Sequence, residues 1–118
     1  MTIKAVFRGS RQTRSLAPGE VLFRRGEQGA DMFGVISGAV ELRTGEQVLA
    51  VVRPGATFGE LAIIDASPRS LDAVAIEATE LAVITRQDFL FRVGETPTFA
   101  LDVMRSMSQL IRHLDKRL

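Results

Sequence analysis

The sequence predicts a mainly β domain, a jelly-roll β-roll, followed by helices at its C-terminal end. Three observations predict it. Short apolar runs recur between glycine turns over about residues 11–86. Val40 and Leu42 alternate with Glu41 and Arg43, the period of a half-buried strand. Phe99, Val103, Met107, Leu110, Leu114 and Leu118 then fall three or four residues apart, the stripe of an amphipathic helix of about five turns.

The elements follow in order. Residues 1–15 are mixed, basic and without a strong period. Ala17-Pro18-Gly19-Glu20 is a turn, since proline presets φ and glycine takes positive φ. Val21–Phe23 is a short strand, and Gly26 and Gly29 bracket the next turn. Met32–Ile36 is a strand closed by Ser37-Gly38. Thr44-Gly45-Glu46 turns the strand around Val40 and Leu42 into a hairpin with Gln47–Val52, which Arg53-Pro54-Gly55 ends. Leu71–Glu77 and Leu81–Thr85 read as one more strand pair. Thr85 with Asp88 predicts a capped start for a short helix that Gly94 stops. Thr96-Pro97 opens the long helix as N-cap and first-turn residue. No repeat or second domain is visible, so residues 1–118 are read as one domain, with helices over about 86–118.

Composition narrows the function classes. Hydrophobic residues are 46% and charged residues 25%, which argues for a packed globule over disorder. There is no cysteine, so disulfides, thiolate metal sites and a thiol nucleophile are excluded. The one histidine, His113, excludes a multi-histidine metal site and falls on the expected wet face of the last helix with Arg105, Arg112, Lys116 and Arg117. No metal is expected. A net charge of +1 with interspersed signs does not suggest a nucleic-acid binder. No apolar run approaches the ~20 residues of a membrane span, and Met1–Arg8 lacks the apolar core of a signal peptide, so a cytoplasmic protein is expected.

One segment does not read as strand and turn: Phe58-Gly59-Glu60-Leu61-Ala62-Ile63-Ile64-Asp65-Ala66-Ser67-Pro68-Arg69-Ser70. Gly59 permits close approach to the backbone. Glu60–Ile64 can make one helical turn whose first N–H groups attract an anion. Arg69, after the rigid Pro68, supplies a planar charged fork suited to phosphate. A glutamate beside an anion site makes sense as acceptor for a hydroxyl on the same ligand. The set describes a sugar phosphate. Asp65 with Asp72 would make a carboxylate pair, but no second catalytic group or metal ligand accompanies it.

Phe58–Ser70 resembles the phosphate-binding cassette of cyclic nucleotide-binding domains, as in the catabolite activator protein and the regulatory subunit of protein kinase A. Ala17–Gly26 is similar to the opening strand of that family, and Met32–Val40, with Ser37-Gly38 between strands, to its next hairpin. The resemblance covers about residues 15–118. It implies that Glu60 accepts the ribose 2′-hydroxyl and that Arg69 contacts the cyclic phosphate. It implies a phosphate nest of the Gly59, Leu61, Ala62 and Ser70 amides, with Leu42, Leu49 and Val52 as apolar floor for the base. The terminal helix would be a lid hinged at Gly94, Thr96 and Pro97. Leu71 and Asp72 depart from the small residues usual after the arginine; Leu71 would narrow the pocket, and an inward Asp72 would weaken phosphate binding.

The expected function is therefore a sensor or regulatory binding module for a cyclic nucleotide and not an enzyme. cAMP is favoured over cGMP because an apolar floor offers guanine's extra polar groups no partner; Ser70, able to bond a guanine amino group, argues for cGMP. A degenerate, nucleotide-free dimerisation domain is the alternative, and a cupin-like enzyme lacks its histidines. Expected partners are a homodimer mate through the last helix or an effector protein. No helix-turn-helix follows and no channel helices precede, so a stand-alone module or a piece excised from a transcription factor or channel is expected.

Overall fold

The computed structural model describes the backbone of residues 12–117 and the side chains of residues 12–112. The expectations on Met1–Arg8, His113, Leu114, Lys116, Arg117 and Leu118 lie outside the described residues or side chains. Among those described, eight strands form two antiparallel sheets: β1 (Thr13–Leu16), β2 (Val21–Phe23), β3 (Met32–Ser37), β4 (Val40–Thr44), β5 (Gln47–Val52), β6 (Thr57–Phe58), β7 (Asp72–Ala75) and β8 (Thr79–Ile84). One sheet has the order β1-β8-β3-β6, the other β2-β7-β4-β5. Three helical segments accompany them: α1 (Leu61–Ile64), α2 (Arg86–Glu95) and α3 (Thr98–Arg117). This is the predicted β-roll with C-terminal helices.

The β4–β5 hairpin is as predicted, with Thr44 opposite Gln47 and Gly45 at φ +61°. Two predicted pairings are corrected. The segments 71–77 and 81–85 do not pair with each other: β7 lies between β2 and β4, and β8 between β1 and β3. Met32–Val40 is likewise no hairpin, because β3 and β4 belong to opposite sheets. In both places the chain changes sheet at a tight corner, and the two corners pack together. Gly38 has φ +86°, and a Cβ there would stand 2.4 Å from the Ala78 carbonyl oxygen. The Thr79 hydroxyl accepts the Ala39 N–H at 3.2 Å, and the Ala39 carbonyl accepts the Ile76 N–H at 3.1 Å. β1, in the stretch without period, pairs along β8 from Thr13↔Ala82 to Leu16↔Thr79. Only Leu16 of its four residues is buried, which is why no alternation shows.

β8 faces two ways. Leu81 points into the roll, against the Phe23, Phe33 and Phe58 rings, whose centroids are 5.6–6.2 Å apart. Ala82 and Ile84 point outward and join Met32, Ile63, Phe99 and Val103 in a second cluster that seats α3. Phe99, Val103 and the half-buried Met107 of the predicted stripe pack there, while Leu110 reaches the roll. The α2 start is as predicted: the Thr85 hydroxyl accepts the Asp88 N–H at 3.0 Å. Gly94 does not stop α2, which runs on to Glu95 with Thr96 as its cap. The Thr96 and Pro97 carbonyls accept the Phe99 and Ala100 amides, so α3 begins at Thr98, one residue later than read.

Candidate functional site

Residues 57–70 leave the sheet at β6, make one turn and return to β7. Gly59 takes φ +81°, reversing the chain into Glu60, whose carbonyl accepts the Ile63 and Ile64 amides at 3.0 Å. The turn is only α1, four residues long. Beyond it Ala66 holds φ +57°, a left-handed conformation uncommon for a residue with a Cβ. The Asp65 carboxylate supports it by accepting both the N–H and the hydroxyl of Ser67. Asp65 is thus a turn-forming residue. The Arg86 guanidinium, at the start of α2, donates to the Ile63 carbonyl at 2.6 Å and ties the end of the turn to the helical segment.

Arg69 is pinned through its backbone and its side chain. Its N–H donates to the Glu27 carbonyl at 2.8 Å, and its carbonyl accepts the Gly26 N–H at 2.7 Å. Nη2 donates to the Asp31 carbonyl at 2.8 Å and Nη1 to the Gly59 carbonyl at 3.3 Å. The guanidinium carbon lies 4.2 Å from the centroid of the Phe23 ring, a cation–π contact. Gly29 leaves it room, since a Cβ there would stand 2.3 Å from Nη2. Arg69 is 8% exposed, yet among the described residues no carboxylate forms an ion pair with it. Burial pushes its pKa down, and the charges of Asp31 and Glu27 offset this only in part. Two neutral carbonyls leave guanidinium donors to spare, so the group can still donate to an anion.

Glu60 is 7% exposed and faces the same cleft. Its Oε1 accepts the Thr57 hydroxyl at 2.8 Å. Burial raises its pKa, against the lowering effects of its own backbone amide and of Thr57. The cleft encloses a volume of about 120 Å³ and is open to solvent on one side. Arg69, Glu60, Gly59, Leu61, Ala62 and Ser70 all line it, so the predicted polar residues come together. The Ala62 amide has only a long bond, 3.4 Å, to the Gly59 carbonyl. Away from Arg69 the lining turns apolar, with Leu42, Ala50, Val52 and Leu71 from the roll and Leu110 from α3.

Leu49 is corrected: it is buried but does not line the cleft. Leu42 pairs with Ala50 and Arg43 with Val48, so Leu49 is the extra residue of a β-bulge and Ala50 takes the cleft-facing position. Asp72 is not in the lining either; its carboxylate accepts the Arg25 N–H at 2.7 Å. Leu71 does line the cleft. Sequence reasoning missed Thr57, Phe23, Gly29, Ser106 and Gln109. Ser106 and Gln109 bring polar groups from α3 to the cleft, and the Ser106 hydroxyl accepts the Thr57 N–H at 3.2 Å. Among the described residues there is no group of three or more His, Cys, Asp or Glu that could hold a metal ion. No described helix is long and apolar enough to cross a membrane.

The β-roll thus carries a cleft lined by both a buried arginine and a buried glutamate, the form of a small-molecule binding site. The family model of the cyclic nucleotide-binding domain matches residues 13–93, and the chain belongs to that family. The cyclic AMP receptor protein of Thermus thermophilus is 35% identical over 112 residues, which is 91% of this chain and 52% of that protein. The crystal structure of the Thermus thermophilus catabolite activator protein superposes with a TM-score of 0.75 at 32% identity, covering 90% of this chain and 52% of that one. A structure described under "A cyclic-GMP-dependent signalling pathway regulates bacterial phytopathogenesis" has the same TM-score and identity, covering 93% and 89%. The chain thus spans about half the length of its Thermus relative.

Proposed function

We propose that this domain is a sensor for a 3′,5′-cyclic nucleotide, cAMP in preference to cGMP, acting as a regulatory binding module and not as an enzyme. Arg69 takes the cyclic phosphate, with the amides at Gly59, Leu61, Ala62 and Ser70 around it. Glu60 accepts the ribose 2′-hydroxyl. Leu42, Val52, Ala50 and Leu110 receive the base, and α3 is the lid. The observation that carries this reading is the buried guanidinium of Arg69, held by carbonyls and an aromatic face, with no carboxylate among the described residues in an ion pair with it. The position of Glu60 in the same cleft supports a ligand with both an anion and a hydroxyl.

The apolar base end supports cAMP, because guanine would leave more polar groups unpaired there. Ser70, exposed at the cleft, supports cGMP as the second reading, and the relative associated with a cyclic-GMP pathway accords with it. The match to about half of the Thermus receptor supports a regulatory role for the domain. Leu101, Met104 and Ile111, exposed on α3, support a second copy or an effector protein as its partner. Calorimetric titration with cAMP, cGMP and 5′-AMP tests the reading. We expect cAMP to bind best and 5′-AMP least; absence of heat with both cyclic nucleotides contradicts the sensor reading, and stronger cGMP binding contradicts the preference.

A further inference from the structure

Thr57 is buried between Glu60 and α3. It is 4% exposed and sits at the start of β6, opposite Gly34 of β3. Its side chain and its backbone are committed in different directions. The hydroxyl donates to Glu60 Oε1 at 2.8 Å, and the N–H donates to the Ser106 hydroxyl of α3 at 3.2 Å. A carboxylate only accepts, so the single hydroxyl proton of Thr57 is fixed on Glu60. That bond engages Oε1 and fixes the plane of the carboxylate, whose lone pairs outnumber this one donor. Ser106 accepts from Thr57 and keeps its own proton to donate. The helix touches the roll at β6 and β5, so Ser106 stands where helix and roll meet.

We infer that Thr57 is the positioning residue of the site: its hydroxyl orients Glu60 toward the sugar, and its amide registers whether α3 is seated. The inference rests on the cyclic-nucleotide reading and adds a physical link within it. If α3 lifts, the buried Thr57 amide loses its acceptor, and an unpaired buried donor is costly. β6 is only two residues long, and across the reversal at Gly59 the Thr57 hydroxyl holds the Glu60 carboxylate directly. A displaced Thr57 therefore misdirects the carboxylate. Sugar recognition and helix seating become mutually dependent through one residue, without direct contact between Ser106 and Glu60.

The test uses the whole chain, cAMP and 2′-deoxy-cAMP in a calorimeter, and amide hydrogen exchange of residues 98–112. Thr57→Val keeps the shape and the amide but removes the hydroxyl. It should shrink the preference for cAMP over 2′-deoxy-cAMP by about 2- to 12-fold, the scale of one hydrogen bond. Binding of 2′-deoxy-cAMP itself should change little, and Thr57→Ser should restore the preference. Ser106→Ala removes the acceptor on the helix and should reduce the protection that cAMP confers on residues 98–112. Wild-type preference retained in Thr57→Val overturns the orienting role, and helix protection unchanged in Ser106→Ala overturns the link to α3. Wild-type protein that binds neither nucleotide overturns the sensor reading and this inference with it.

Discussion

At one end of the cleft Arg69 is held by two carbonyls, an aromatic face and the space above Gly29. Elsewhere in the cleft Leu42, Leu71 and Leu110 offer apolar surface, and Leu110 rides on a helix that also brings Ser106 and Gln109. The polar end is assembled before any ligand arrives, since each of its charged groups already has its orienting partners. The apolar end depends on how α3 lies. Preorganised charge gives affinity and orientation. A surface completed by a separate element gives a ligand something to shift, because only contacts that differ between two states move an equilibrium. The same division separates the two hydrophobic clusters. One is sealed inside the roll, and the other joins Ile63 of the cassette to Phe99 and Val103 of α3.

The largest effect should come from breaking the polar end outright. Arg69→Ala should weaken cAMP binding by roughly 2–5 kcal/mol, or about 30- to 4,000-fold by calorimetry. Arg69→Lys should also bind less well, because an ammonium cannot satisfy the Asp31 and Gly59 carbonyls and a phosphate in one plane. Next comes Glu60→Ala, with a loss of about 1.5–3 kcal/mol and loss of discrimination against 2′-deoxy-cAMP. Gly29→Ala should weaken binding by about 1–3 kcal/mol, the scale of overpacking. The three atoms nearest the new Cβ all belong to the Arg69 guanidinium, so affinity should fall more than thermal stability.

Glu60 also costs the unliganded protein stability. Its folded pKa is raised by burial. The stability linked to its protonated form is present below the ordinary carboxylate range and is lost as pH rises through the raised value. Glu60→Gln should therefore unfold at a higher temperature than wild type at pH 7.5, and the gap should close near pH 4. A gap that grows on acidification would contradict the burial argument. The smallest effect should come from the apolar end. Leu110→Ala should cost about 1 kcal/mol in cAMP affinity, since only part of that side chain is buried.

How much of this was legible in the sequence depends on whether the cause is local. Gly59, Glu60, Pro68 and Arg69 sit within a dozen residues, so the residues of the polar end could be picked out from one segment and its resemblance to the family's cassette. The capped start of α2, the β4–β5 hairpin and the packed stripe of α3 were legible for the same reason. The partners of Arg69 were not. Phe23, Gly29 and Asp31 reach it from the β2–β3 loop region, some forty residues away, and a glycine carries no sign of what will lie against it. The sheet-switching corners read as hairpins because strand period says nothing about which sheet a strand joins. Leu49 read as part of the floor because a bulge, set by pairing with β4, decides which face each residue takes. Ser106 and Gln109 were not legible because only the packing of the helix over the cleft brings them to it.

The contrast between a fixed polar end and a helix-completed apolar end is tested most directly by amide hydrogen exchange with and without saturating cAMP. Protection should appear in two places, residues 58–70 and the second half of α3 up to residue 112, while the β4–β5 hairpin away from the cleft changes little. Protection of residues 58–70 alone, with exchange in α3 unchanged, would contradict the account: the nucleotide would then be held entirely by the roll, and the helix would take no part in sensing it.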